Sequence, residues 1–359
     1  MVLSGCPKLK DLRVGEIRGF SGAVGMEVAT LIFENNSLER LIMSGCADLT
    51  DDVLETMIQG TDPEIDILSD QALVEPRVLR HLDLTRCVRI TDAGLEVLTN
   101  NVPRLEGLQL SGCNLLTDRS LSKLISTVPF LTHLDLEELS ELTNVFLSEH
   151  LAKAPCASRL EHLSISYCEN LGDVGMLPIM RDCVSLQSVD MDNTRISDLV
   201  LTEAAAMVRA RSATNPAHYK VPQITLRMVV FDCGNVTWTG IREILSRNAE
   251  IRRPVGENGT TFQKEVIGLK CFYGWQMTVD EHMKRVLKGD LASANRLERK
   301  WADYMIANEE VGAGGTNVRR RRRRAREAAM LHADEEEGGI GAGGIGRRRR
   351  ARSNGCAVM

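Results

Sequence analysis

The sequence predicts an α/β solenoid: a horseshoe with short parallel strands on the concave face and helices outside. Three observations predict it. One pattern, L-x-x-L-x-L-x-x-C-x-x-L-T-D, recurs along most of the chain, most often at a spacing of 26 residues. Each copy holds a period-two segment, L-x-L, followed by Thr-Asp, which reads as a strand leading to a helix start. Aromatic residues make up only 4% of the chain while leucine recurs throughout, so the core is built from stacked aliphatic side chains.

The copies justify the elements in order. Weaker copies start at Leu9 (with Ile17 at the cysteine position), Leu186 (with Thr194) and Leu226. The strong ones run Leu38-Leu41-Met43-Cys46-Leu49-Thr50-Asp51, Leu79-Leu82-Leu84-Cys87-Ile90-Thr91-Asp92 and Leu105-Leu108-Leu110-Cys113-Leu116-Thr117-Asp118. They continue as Leu131-Leu134-Leu136-Leu139-Leu142-Thr143-Asn144 and Leu160-Leu163-Ile165-Cys168-Leu171-Gly172-Asp173. The period lies in the leucine-rich-repeat range. Leucines of each strand point inward, Thr-Asp caps a short outer helix, and that helix buries Leu95 and Leu98, or Leu121 and Leu124, against its neighbours. One copy cannot cover its own apolar face, so stacking makes one continuous core. Residues 1–250 are assigned to these repeats, with insertions near 60–76 and 210–222 that are either binding loops or tolerated surface loops. The first insertion holds Asp62, Glu64, Asp66, Asp70 and Glu75 with no base.

Residues 251–311 read as a C-terminal cap. Val266–Phe272 is expected to be a last strand. Thr278-Val279-Asp280-Glu281 is read as a capping box opening a helix through Leu287. Asp290 is expected to cap another helix, with Leu291, Ala294, Leu297, Trp301 and Tyr304 on one face. Order is expected to be lost over 312–359, where Gly- and Arg-rich runs cannot form a core.

Charge is split between body and tail. The chain carries −5 overall. Residues 312–359 hold twelve arginines, no lysine and five acids, a net of +7, which leaves residues 1–311 at −12. Two different partners are expected from that division. No stretch approaches 18 consecutive apolar residues, which excludes a membrane-spanning helix. The N-terminus lacks the apolar segment of a secretory signal.

Ten cysteines include no CxxC pair. Cys6, Cys46, Cys87, Cys113 and Cys168 share one repeat position, where they are expected to form a buried row of small hydrophobes, reduced in an intracellular protein.

Residues alternating with the strand leucines face the concave side. Among them are His81, Asp83, His133, Asp135, Glu137, His162, Asp190 and Asp192, with Arg13, Arg40, Ser164 and Ser188 beside them. Asp83, Asp135, Glu137, Asp190 and Asp192 form an acidic strip suited to a partner with a basic segment. His133 and His162 occupy equivalent positions in adjacent copies, about 5 Å apart at strand spacing. A His–Asp hydrogen bond with Asp135 is the expected role; a metal site is conceivable but is not assigned, and no cofactor is expected.

The cysteine-bearing repeat ending in L-T-D resembles the cysteine-type leucine-rich repeats of F-box/LRR proteins, over roughly residues 3–245. That resemblance implies a substrate-holding solenoid and, in the family, an F-box module that binds the Skp adaptor of a cullin-based SCF ubiquitin ligase. No F-box-like helical block is evident in this sequence. Leu3-Ser4-Gly5-Cys6 matches Leu110-Ser111-Gly112-Cys113, so the chain starts inside a strand and a longer protein is expected. Some relatives of this repeat type, the antagonist-of-mitotic-exit proteins, carry the repeats without an F-box.

The tail ends Cys356-Ala357-Val358-Met359, a C-a-a-X box whose final Met favours farnesyl transfer to Cys356. One prenyl chain anchors weakly, and Arg347, Arg348, Arg349, Arg350 and Arg352 supply the second, polybasic signal toward an anionic membrane. This ending is similar to that of prenylated F-box/LRR proteins. The expected function is a non-enzymatic, membrane-tethered cytoplasmic adaptor. The alternative is an F-box-less regulator or scaffold of the cell-cycle or GTPase-regulator type, nuclear through Arg319–Arg326. The Arg runs lack interleaved aromatics, so any nucleic-acid contact would be nonspecific. No phosphate loop or nucleophile–base motif suggests catalysis.

Overall fold

A computed structural model describes residues 8–17, 19–66, 71–214, 219–251, 255–256, 259–260, 262 and 264–310. Its strands are β1 (Asp11–Arg13), β2 (Arg40–Ile42), β3 (Ile65–Asp66), β4 (Gln71–Ala72), β5 (His81–Asp83), β6 (Gly107–Gln109) and β7 (His133–Asp135). They continue as β8 (His162–Ser164), β9 (Ser188–Asp190), β10 (Ile224–Val229), β11 (Val255–Gly256), β12 (Gly259–Thr260) and β13 (Val266–Lys270). The helices are α1 (Gly22–Glu34), α2 (Asp51–Gln59), α3 (Asp92–Glu96), α4 (Asp118–Ile125), α5 (Asp173–Asp182), α6 (Asp198–Thr214), α7 (Trp238–Ala249), α8 (Tyr273–Leu287) and α9 (Leu291–Glu310).

Nine strands form one open parallel sheet in the order β1-β2-β5-β6-β7-β8-β9-β10-β13. Neighbours pair in the register that the repeat dictates: Leu41 opposes Leu82, Leu82 opposes Leu108, and so on to Leu163 opposite Val189. Those residues are buried in one continuous core with the outer helices. The chain is therefore an α/β leucine-rich-repeat solenoid.

Three ladders hold adjacent repeats together. The first is the apolar stack. The second runs through the cysteines, which do more than fill space. Cys87 donates its thiol hydrogen to the Met43 carbonyl (3.2 Å), Cys113 to Leu84 (3.1 Å), Cys168 to Leu136 (3.1 Å) and Cys233 to Met191 (3.1 Å). Each bond joins one repeat to the previous one. Burial pushes the Cys113 and Cys168 thiols up to about 12, so both stay protonated and unreactive. All eight described cysteines are free and buried. Cys6 lies outside the described residues. Ile17, read as standing at the cysteine position of the first copy, is instead 48% exposed, because no described repeat packs on the outer side of β1.

The third ladder is made by Thr-Asp. Thr91, Thr117, Thr143, Ser197 and Thr237 cap their own helices by accepting an N–H two residues on. The aspartate that follows reaches across to the next repeat. Asp51 accepts from the Thr91 N–H (2.9 Å) and hydroxyl (2.5 Å), Asp92 likewise from Thr117, Asp118 from Thr143, Asp173 from Ser197 and Asp198 from Thr237. Where the sequence has Asn144, the partner is Gly172, which has no hydroxyl to donate; Asn144 Oδ1 takes the N–H groups of Gly172 and Gly175 instead. Gly94 is required by this ladder, since a Cβ there would stand 2.3 Å from Asp51 Oδ1.

The copy starting at Leu131 is 29 residues from the next, three more than the common period. The extra length is taken up by a π-helical turn, Phe146–Leu151, and a 3₁₀ turn, Ala157–Arg159. In the first insertion β3 and β4 pair as a small antiparallel hairpin. Arg77 beside it lies over the Phe33 ring and donates to the Ile32 carbonyl. Within the second, Arg211 of α6 donates to the carbonyls of Val184, Leu186 and Thr225.

At the C-terminal end β13 extends the sheet, and α8 and α9 pack beside α7. One expectation is corrected here. Thr278 does not cap a helix; α8 already begins at Tyr273, and Thr278 is buried inside it. The apolar demand of Trp275 beside Phe272 pulls the helix start forward, overriding the local Thr-x-x-Glu signal. Asp290 does cap α9, accepting the Ser293 N–H at 3.1 Å. Leu291, Ala294, Leu297 and Trp301 are buried, and Trp301 meets Trp238 edge-on at 6.1 Å. Residues 311–359, which hold Cys356, Arg347–Arg350 and Arg352, lie outside the described residues.

Candidate partner-binding face

The parallel register carries the alternate side chains into rows across the concave sheet face. One row is Asp11, Arg40, His81, Gly107, His133, His162, Ser188 and Arg227. The next is Arg13, Ile42, Asp83, Gln109, Asp135, Ser164 and Asp190. Arg13 and Arg40 stand at the β1–β2 end beside Asp11, the acids of β5, β7 and β9 follow, and Arg227 stands beyond them on β10. Asp192 and Glu137 follow one step beyond the strands.

His133 and His162 stack, with ring centroids 4.2 Å apart and 19° between planes. The expected His133–Asp135 hydrogen bond does not form. His133 Nδ1 lies 2.8 Å from the Thr132 hydroxyl, while Asp135 accepts the Glu137 N–H at 3.1 Å. A short aspartate reaches its own backbone two residues on more easily than a ring on the same strand. Asp83 does the same with the Thr85 N–H at 2.9 Å. Among the described residues no group of three or more His, Cys, Asp or Glu is placed to hold a metal ion.

The acids perturb one another. Burial lifts the Asp135 carboxyl above the usual range, and the Asp83 charge adds to it against the Glu137 N–H. Asp190 is raised by burial, then by Asp192 and Asp135. Glu137 is raised by burial and by Asp135, Glu138, Asp192 and Asp190. Asp192 is raised by burial and Asp232, partly opposed by the Phe231 N–H. Burial lowers His133, and the His162 charge lowers it further. No Lys or Arg forms an ion pair with these acids among the described residues. Asp190 Oδ1 is buried and has no hydrogen-bond partner.

These groups line a shallow depression of about 130 Å³ with His133, Asp135, His162, Ser164, Ser188 and Asp190 on its walls. Larger clefts, about 850 Å³ beside Arg181 and Arg211 and about 580 Å³ beside Arg80, open at the other ends of the strands. Several of their charges are paired within the fold: Arg181 with Glu203, Arg80 with Glu106 and Lys10 with Glu39.

The acidic face is wider than the alternation rule indicates. Glu138 and Asp232 stand at the turn after each strand, both at positive φ (63° and 49°), and their charges act on Glu137 and Asp192. The same repeat position holds Arg86, Tyr167 and Asn193 at positive φ, and Gly45 and Gly112. The recurring glycine of Ser44-Gly45-Cys46 and Ser111-Gly112-Cys113 is the signal that could have located this row.

A family model described as "Leucine Rich repeat" matches residues 76–98 and 158–180. No curated protein is significantly similar in sequence. Among solved structures, a chain from the crystal structure of the Rad7 and Elc1 complex in yeast is similar at 18% identity with a TM-score of 0.42. That likeness covers 66% of this chain and 66% of the other, just under two thirds of each.

Proposed function

We propose that this chain is a non-enzymatic protein-interaction adaptor whose concave face receives a basic segment of a partner protein. The observation that carries this reading is the run of carboxylates from Asp83 to Asp192 crowded on one sheet face, of which Asp135, Glu137, Asp190 and Asp192 are pushed up by burial and by neighbouring carboxylates, with no ion-paired Lys or Arg among the described residues. Such a face is destabilised by its own charge, and a cationic ligand relieves that repulsion while steering its own approach. The resemblance of the repeat to F-box/LRR receptors supports a substrate-recruiting role in an SCF ubiquitin ligase; Skp binding would need an F-box outside this sequence. The C-a-a-X box supports farnesylation of Cys356, with Arg347–Arg350 and Arg352 completing a cytoplasmic membrane tether.

Fluorescence anisotropy with a labelled hexa-arginine peptide tests the face directly. Full-length protein with Arg319–Arg324 replaced by serine, so that the chain's own arginines do not compete, binds the peptide, and the same protein with Asp135→Asn, Asp190→Asn and Asp192→Asn added binds at least tenfold more weakly. Equal affinity for both proteins contradicts the reading. Mass spectrometry of the C-terminus from cells tests the tether: an unmodified Met359 end refutes it.

A further inference from the structure

The chain carries a ligand of the right chemistry for its own acidic face. We propose that the arginine run Arg319–Arg324 docks on the concave depression, so that the protein is autoinhibited and an external partner must displace its tail. This rests on the reading of the concave face as a receptor for basic segments.

Three observations point to that occupant. The first is charge. Residues 1–311 carry −12 and residues 312–359 carry +7, with all twelve basic residues of the tail being arginine. The second is the chemistry of the depression. A guanidinium is planar and permanently charged; it stacks on flat rings and offers a fork of donors to carboxylates. Here the imidazoles of His133 and His162 stack on one another, which leaves each ring one outer face on which a guanidinium can extend the stack, and Asp135 and Asp190 line the same depression. The buried Asp190 Oδ1 lacks a donor that a guanidinium would supply. A lysine ammonium could pair with the acids but lacks the planar group that extends a ring stack.

The third is placement. The sheet ends in the order β9-β10-β13, so β13 stands two strand spacings, about 10 Å, from Asp190. The cap helices that follow β13, α8 and α9, pack at this same end, beside α7. The tail is thus attached at the acidic end of the solenoid and not at the Arg13–Arg40 end. Arg319 follows Glu310 by nine residues, a reach of up to about 30 Å when extended. Tethering on that length gives an effective concentration of about a millimolar, which lets individually weak arginine contacts compete with a free partner. The second cluster, Arg347–Arg352, stays available to the membrane.

The test compares full-length protein with a full-length variant carrying Arg319–Arg324 replaced by serine, using the labelled hexa-arginine peptide in low salt. The variant is expected to bind at least tenfold more tightly than wild type. Adding Asp135→Asn, Asp190→Asn and Asp192→Asn to it should abolish the gain. Measurable and equal affinity in wild type and the serine variant overturns autoinhibition and leaves the partner-binding reading standing. No binding by either protein overturns both. A photo-crosslinker placed at Ala325 gives a second readout. Adducts are expected on residues 133–137 and 188–192, and adducts confined to other surfaces contradict the docking.

Discussion

Replacing Asp92 by alanine cuts a rung of the ladder that ties the repeat of β5 to that of β6. Asp92 accepts the Thr117 N–H at 2.9 Å, the Thr117 hydroxyl at 2.6 Å and the Ser120 hydroxyl at 2.5 Å. Burial would raise its pKa, but these three donors together hold it below the usual carboxylate range. Hydrogen bonds to a charged acceptor contribute about 1.5–3 kcal/mol each, and an orphaned N–H costs a further ~1–3 kcal/mol. Asp92 is partly exposed, so water replaces part of what is lost, and the three bonds are not additive. The expected cost is about 2–3 kcal/mol, a fall in Tm of roughly 3–5 °C in a chain of this size. Urea denaturation followed by circular dichroism measures it. The sign with pH is fixed by the lowered pKa: the contribution is present above the unfolded value near 3.8 and is lost as pH falls through the folded value. A loss below ~0.5 kcal/mol at pH 7 refutes the ladder as a source of stability. The internal control is the native Asn144–Gly172 rung, where no hydroxyl faces the side chain. Asp92→Asn combined with Thr117→Gly is expected to recover part of the cost of Thr117→Gly alone.

Gly94→Ala is expected to destabilise by about 1–3 kcal/mol through overpacking against Asp51, since a Cβ would stand 2.3 Å from Oδ1; the same denaturation measurement checks it. Tyr167→Gly is expected to stabilise by up to ~1 kcal/mol, because Tyr167 is exposed and held at φ 61°, where a Cβ is strained. His282 is fully buried in α8 with neither ring nitrogen bonded, and burial plus the Arg285 charge lowers it to about 4. Its unfolded form therefore binds a proton that the folded form resists, and the folded state loses stability as pH falls from about 6.5 toward 4, by roughly 3 kcal/mol. Thermal melts of His282→Leu are expected to lack that part of the acid loss; an unchanged pH profile contradicts the assignment.

The solenoid was legible because one pattern serves several physical needs at once. Leu108 and Leu110 alternate toward the core, Thr117 caps the helix, and the same order repeats in phase. The acid row was also legible, since strand alternation places Asp135 and Asp190 on one face whatever the helices do. The inter-repeat bonds were not. Nothing local to Asp92 shows that it serves Thr117, 25 residues away, in place of its own helix, and nothing in Cys87 names the Met43 carbonyl as its acceptor. Cys233 escaped the repeat count because Thr225 stands where the other copies have their first leucine; starting the copy at Leu226 puts it one residue out of phase, whereas Met228 opposite Val189 brings Cys233 to the cysteine position. The His133–His162 spacing was readable, but its consequence, a stack in place of a His–Asp bond, depended on Thr132 and on the backbone turn at Glu137. Thr278 shows the opposite failure: a correct local capping signal lost to packing in the cap.

Proton NMR of the histidine rings tests the central claim most directly. The chain has only seven histidines, and two of them, His133 and His162, form the wall of the acidic depression. Titrating the hexa-arginine peptide into the full-length protein with Arg319–Arg324 replaced by serine is expected to shift the His133 and His162 resonances in step with binding, while buried His282 stays in place. Binding that leaves both of those rings unmoved would contradict the assignment of the concave acidic face as the partner site.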